Sequence, residues 1–306
     1  MVRLSPRDVF VKTEFHTVVS SEGEKDHNTI EDSLMALENI GIPALRRCIE
    51  SSSILDEDRS RIAAFWAIQY LRAPEVREMV NKFTQQIIKD TASLLDKHGK
   101  LPPVPDELSK HGNNITDLLE KGIIKTKILP QMTMRPMILL PKIMDVILQM
   151  SWCLMKSDDG NYFALPDNPC SFVYEDYKSE DQRWGLLDGG VEMALPIGAN
   201  HCLLAGWKKM PEKVRAAEAR VGEINKRSAI FGDRFIVFPI ESKKMMGFFR
   251  RFSEGKPEAD VQSIPAPLQE GGGSYIIVTR DVFQSQKMRE HYLTCKPIFK
   301  KQERKK

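Results

Sequence analysis

A chain of 306 residues can bury a substantial core, as one large domain or two smaller ones. Its apolar share of 42% and charged share of 28% are those of an ordinary globular protein, and a net charge of +3 does not by itself argue for nucleic acid or an acidic membrane surface. Five scattered cysteines (Cys48, Cys153, Cys170, Cys202 and Cys295) include no CxxC pair, which suits a reduced compartment and gives no zinc signature.

The first residues, Met1 to Pro6, lack the apolar core of a signal peptide. The most apolar window, Met137 to Met155, is interrupted by Pro141, Lys142, Asp145 and Gln149. A membrane span needs about 20 mostly apolar residues, so this window predicts a buried helix in a soluble, cytoplasmic protein with no membrane partner.

Residues 1–27 read as extended. Asn28 and Glu31 have the spacing of a capping box, which predicts a helix from about Thr29. Ile30, Leu34, Leu37, Leu45 and Ile49 follow near helical period, and Gly41-Ile42-Pro43 predicts a kink or break. A second helix opens at Asp56, with acids in its first turn and an apolar stripe of Ile62, Phe65 and Trp66. Continuing that stripe puts Gln69 and Arg72 on the inward face, before Ala73-Pro74 interrupts the helix. A third helix carries Val76, Met79, Val80, Phe83, Ile87 and Leu94 to Gly99. Leu101 to Pro105 is a stiff linker, and 114–129 and 136–152 predict two more helices.

From Ser151 the pattern changes. Asp158-Asp159-Gly160-Asn161 predicts a hairpin between Trp152–Met155 and Tyr162–Leu165. Further strands are expected at 170–174, 192–195, 201–205, 234–238 and 275–280. Glu212 to Ile230 predicts an amphipathic helix with Asn225 on its flank. Residues 241–274 read as a flexible insertion, 275–295 as a returning strand and helix, and 296–306 as a basic tail. The class these elements predict is α+β, one integrated domain over 28–240 in which a helix-rich half (28–150) packs on a smaller antiparallel sheet (151–240).

No P-loop, GxGxxG, HExxH or GxSxG motif is present. What remains is a set of polar residues at informative places. Glu31 and Glu38 share one side of a helix and are hard oxygen donors of the kind Mg²⁺ or Mn²⁺ takes, or simply a capping acid and a solvated face. Gln69 and Arg72 face inward and need partners, because burying them unpaired costs a few kcal/mol; a ligand would serve, and so would Glu38 and a backbone carbonyl. Asp167-Asn168-Pro169, between two short apolar runs, presents a carboxylate and an amide to a cleft or bonds its own backbone in an Asx-type turn. The run Phe248-Phe249-Arg250-Arg251-Phe252 and a tail containing Lys300 and Lys301 interleave stacking and phosphate-binding side chains, which opens a nucleic-acid reading beside the plainer one of solvated basic segments. No histidine lies within metal-ligand spacing of another, and Cys170 has none near it in sequence.

Four passages, Thr29-Ile30-Glu31 with Glu38, Gln69 through Arg72 to Pro74, Phe163 to Pro169, and Ile224-Asn225 before Phe235-Ile236-Val237, come in the order of a known pattern. Over roughly residues 25–240 the chain resembles the family catalogued as domain of unknown function 4238, with its "IE…E" helix, "Q-x-x-R-x-P" helix end, "F-x-x-S-D-N-P" hinge and later asparagine-bearing helix. Pro166 stands where the family usually has serine, and nothing like the family's N-terminal His-x-x-Pro segment precedes Phe15. If that histidine belongs to a site, the resemblance implies a truncated or inactive member. The family name implies no activity.

Two functions are therefore carried forward, and whether the chain is an enzyme stays open. In one it is a binding or regulatory protein whose cluster of Glu31, Glu38, Gln69, Arg72, Asp167 and Asn168 is structural. In the other those residues are catalytic in a metal-assisted hydrolase acting on phosphodiesters, with Glu31, Glu38 and Asp167 holding Mg²⁺ or Mn²⁺ and Arg72 steadying phosphoryl charge. The missing histidine segment tilts the balance to the first.

Overall fold

The computed structural model describes residues 18–19, 25–26, 28–126, 136–175, 185–232, 235–240, 242–252, 258–265, 275–282 and 286–299. The N-terminal part is helical: α1 (Thr29–Ser51), α2 (Asp56–Leu71), α3 (Pro74–Lys97), the short α4 (Asp106–Ser109) and α5 (Ile115–Glu120), then α6 (Leu140–Gln149). Before them β1 (Val18–Val19) pairs with β2 (Lys25–Asp26). The strands β3 (Ser151–Ser157), β4 (Leu165–Pro166), β5 (Ser171–Tyr174), β6 (Val191–Gly198), β7 (His201–Gly206) and β8 (Lys213–Ala216) follow, then α7 (Glu218–Phe231) and β9 (Ile236–Val237). The last elements are α8 (Lys243–Phe252), the antiparallel hairpin β10 (Glu258–Pro265) and β11 (Tyr275–Val282), and α9 (Gln286–Leu293). The class is α+β.

Five strands form the central sheet in the order β5-β6-β7-β3-β8. The neighbours β5/β6, β6/β7 and β7/β3 are antiparallel, but β8 joins β3 in parallel, so the sheet is mixed and not antiparallel throughout. Every residue of β7 is buried, because helices and the C-terminal segment cover both faces. On one face Trp152, Leu154, Met193, Leu195, Leu203 and Ala205 meet Ala44, Ile62, Trp66 and Ile147 of α1, α2 and α6. Trp66 stands edge-on to Trp152 at 5.6 Å, and Trp152 Nε1 donates to the Ile147 carbonyl at 2.7 Å. On the other face Cys153, Met155, Ala194, Cys202 and Leu204 meet Val221 and Ile224 of α7.

Several local expectations give way to this packing. The expected hairpin after β3 does not form. Its turn is present, with Gly160 at φ +91° where a side chain would be strained, but Phe163 N–H then bonds the Ala199 carbonyl at 2.8 Å. Both edges of β3 are already taken, by β7 and β8. Residues 213–216, expected as the start of a helix, are β8 for the same reason: β3 offers them a free edge. The helix α1 runs unbroken through Pro43. Gly41 in the same turn serves close approach, since a Cβ there would lie 2.5 Å from Cβ of Phe65 on α2. The capping box is also absent. Asn28 sits in the helical region with no side-chain cap, and Asp26 Oδ1 instead accepts the N–H groups of Asn28 (2.8 Å) and Thr29 (3.0 Å). Among the described residues the helix expected over 114–129 ends at Glu120 and the one over 136–152 shortens to α6, and α8 and β10 fall inside the stretch expected to be flexible.

One buried acid supports the helical layer. Asp58, in the first turn of α2, is fully buried and takes Arg47 at 2.5 Å and Arg61 at 2.8 Å. The hydrogen bond from Arg47 is the main cause that holds its carboxyl down at about 2, against the opposing cost of burial.

Candidate functional site

The helix α2 stops where Pro74 forces Ala73 into an extended conformation (ψ 139°), and α3 starts again at Pro74 itself. The last turn of α2 and the first of α3 therefore meet at a corner, which gathers Gln69, Arg72 and Glu75 beside the middle of α1. Arg72 holds this corner together. Its Nε and Nη2 donate to Gln69 Oε1 at 3.1 and 2.7 Å, and its Nη1 donates to Glu38 Oε1 at 2.5 Å. Gln69 is buried, while the side chains of Arg72 and Glu38 keep 34% and 28% of their surface.

The hinge approaches the corner from the sheet side. Asn168 is almost fully buried, and its Nδ2 donates to Glu75 Oε1 and, at 3.1 Å, to the carbonyl of Phe231 at the end of α7. Among the described residues its Oδ1 has no hydrogen-bond partner. Asp167 turns elsewhere: its Oδ1 accepts the Asn168 N–H at 3.1 Å, its Oδ2 accepts the Phe235 N–H at 3.3 Å, and its own N–H bonds the Phe235 carbonyl at 3.0 Å. The short β4/β9 pair continues that tie. Cys170, next to the hinge, is buried with its Sγ 3.8 Å from the Trp66 carbonyl, and burial pushes its thiol far up, away from the thiolate a nucleophile needs.

Of the six residues expected to converge, Glu38, Gln69 and Arg72 form one network, and Asn168 reaches the same corner through Glu75. Asp167 bonds the 235 backbone. Glu31 lies nearly two helical turns back on α1 at an exposed position, roughly 10 Å along the axis from Glu38. Among the described residues no group of three or more His, Cys, Asp or Glu is arranged to hold a metal ion. Asn225, on the flank of α7, bridges backbone: Oδ1 accepts the Ala164 N–H and Nδ2 donates to the Tyr162 carbonyl, both at 2.8 Å. Arg251 of α8 lies over the Phe252 ring at 5.5 Å, and Phe252 faces His291 at 5.0 Å. Lys300 and Lys301 lie outside the described residues.

A second polar cluster was not anticipated. Glu192 of β6 and Arg227 of α7 are both buried and pair at 2.9 Å beneath the sheet. The signal was there in the sequence: an acid inside the apolar run Val191–Leu195, and an arginine three residues after Ile224 on a helix's inward side. Glu75 was signalled only as an acid directly after a helix-starting proline.

A mixed sheet between helical layers, with a polar joint at a helix corner and a buried ion pair below, defines the class of protein. The family model described as "Protein of unknown function (DUF4238)" matches residues 1–244, so the chain belongs to that family. The match reaches further toward the N-terminus than the four motifs did, over residues outside those described. No curated protein and no solved structure matches the chain. No helix among the described residues is long and apolar enough to cross a membrane.

Proposed function

We propose that this chain is a soluble, intracellular binding or regulatory protein of its family, and that the α2–α3 corner is a joint between helices rather than a catalytic centre. The observation that carries this reading is the state of Arg72. In a phosphodiester hydrolase its guanidinium would have to meet developing phosphoryl charge. Here Gln69 takes two of its donors and Glu38 a third, so a substrate would have to compete with partners already in place. Glu38 is engaged by the same contact, and Asp167 by backbone N–H groups.

Calorimetric titration of the wild-type chain and of Glu38→Ala with MgCl₂ and MnCl₂ tests the reading. Neither titration is expected to give saturable heat. A saturable heat in the wild type that Glu38→Ala abolishes would overturn it in favour of the metal-assisted hydrolase.

A further inference from the structure

Residues 294–299, after α9, are held to the body of the protein by side chains that reach for their backbone. Lys226 Nζ donates to the Thr294 carbonyl at 2.8 Å, and Glu223 Oε1 accepts the Lys296 N–H at 2.8 Å. Arg227 Nη2 donates to the Lys296 carbonyl at 2.5 Å. The two oxygens of Glu192 accept the N–H groups of Ile298 and Phe299 at 2.8 and 3.0 Å. These contacts recognise peptide groups, not side chains, which is how a protein binds a segment in sequence-tolerant fashion. Apolar contacts add selectivity. Ile298 and Phe299 lie against the cluster that includes Met155, Val221 and Ile224, and Cys295 packs with Ile230 and Phe231.

Two further observations bear on this clamp. Glu192, Glu223, Lys226 and Arg227 all fall within the part of the chain that matches the family, which ends at residue 244, whereas the clamped segment lies beyond it. The groove is thus built by the family's own fold, and its occupant comes from outside. The occupant also fits incompletely. Arg227 is wholly buried, yet among the described residues its Nε and Nη1 have no hydrogen-bond partner, Nε meeting Glu223 only as an ion pair at 3.8 Å. A buried donor left unmet is a standing cost that a better-matched ligand would remove.

We propose that the groove between β6 and α7 is a peptide-binding site, and that residues 294–299 are its resident occupant, which must leave before a partner peptide can enter. The partner it fits is a short peptide with free backbone hydrogen-bonding groups and an apolar pair after a proline, the chemistry of Pro297-Ile298-Phe299. This goes beyond the binding reading above and stands independently of it, since a chain that took metal at Glu38 would still own the groove.

The test uses the full chain and a fluorescein-labelled peptide of residues 294–299, read by anisotropy. Ile298→Pro removes one N–H that Glu192 accepts from the resident segment while leaving the groove intact. The labelled peptide is expected to bind the Ile298→Pro chain at least tenfold more tightly than wild type, and adding Glu192→Gln is expected to take that gain away. An Ile298→Pro chain with wild-type circular dichroism that binds no more tightly than wild type overturns the proposal. Hydrogen exchange on the unaltered chain decides the matter should the variant fail to fold. Exchange of the Ile298 and Phe299 amides well ahead of β3 and β7 supports a displaceable segment, and exchange only together with that core overturns it.

Discussion

Two arginine–carboxylate pairs, one at the α2–α3 corner and one beneath the sheet, look alike in a contact map and differ in their surroundings. Arg72 and Glu38 meet at 2.5 Å with about a third of each side chain in water. Arg227 and Glu192 meet at 2.9 Å with 0% and 4% exposed. At the corner, solvent can replace either partner, so the pair needs only Gln69 to complete it. Beneath the sheet the pair is shielded from bulk solvent, and a carboxylate with several acceptor sites and a guanidinium with five donors look to protein groups. They find the backbone of residues 294–299, and even then two arginine nitrogens have no hydrogen-bond partner among the described residues. The environment, more than the pairing, decides what each arginine does for the fold.

The largest expected effect comes from breaking the buried pair from one side. Arg227→Met leaves Glu192 buried without its arginine, and should cost about 3–5 kcal/mol in urea unfolding. A cost under about 1 kcal/mol would erase the distinction between the two pairs. Asp58 is an intermediate case, a buried acid whose arginines Arg47 and Arg61 keep 42% and 46% of their surface. Its folded-state value, about 2, lies below the unfolded carboxylate's usual value of about 4. Its contribution is therefore complete above about pH 4 and is lost as pH falls toward 2. The melting temperature of wild type should drop across that window more steeply than that of Asp58→Asn, and parallel curves would show that the acid contributes nothing. The smallest effect belongs to the corner. A double-mutant cycle of Glu38→Ala and Arg72→Ala should give a coupling below about 1 kcal/mol. A coupling above about 2 kcal/mol would mean that the corner is as dry as the buried pair.

Much of the helical layer was legible because local rules decide it. Asp56 starts α2 and Pro74 ends it, and the stripe through Ile62 and Trp66 carries Gln69 inward, while Arg72 stays half-buried. Glu38 was among the partners expected for Arg72, and the two pair at 2.5 Å. Asp167 and Asn168 were legible as a polar turn but not in direction, because their partners at Phe231 and Phe235 lie more than sixty residues away. Glu192 and Arg227 could be noticed as charges out of place, but nothing near them in sequence names the segment at 294–299 that they hold.

What the sequence by itself determined here is whatever chain stereochemistry and periodicity settle within a few residues: where α2 and α3 begin and end, which helix faces turn inward, and the α+β class. Tertiary structure decided the rest. It carried α1 unbroken through Pro43 with α2 lying against Gly41, made a strand of 213–216 because β3 offered an edge, and sent the chain away from the expected hairpin because both edges of β3 were filled. It also decided which buried charges meet. A hydrogen bond's demand is local, but the group that satisfies it can come from anywhere in the chain that packing brings near.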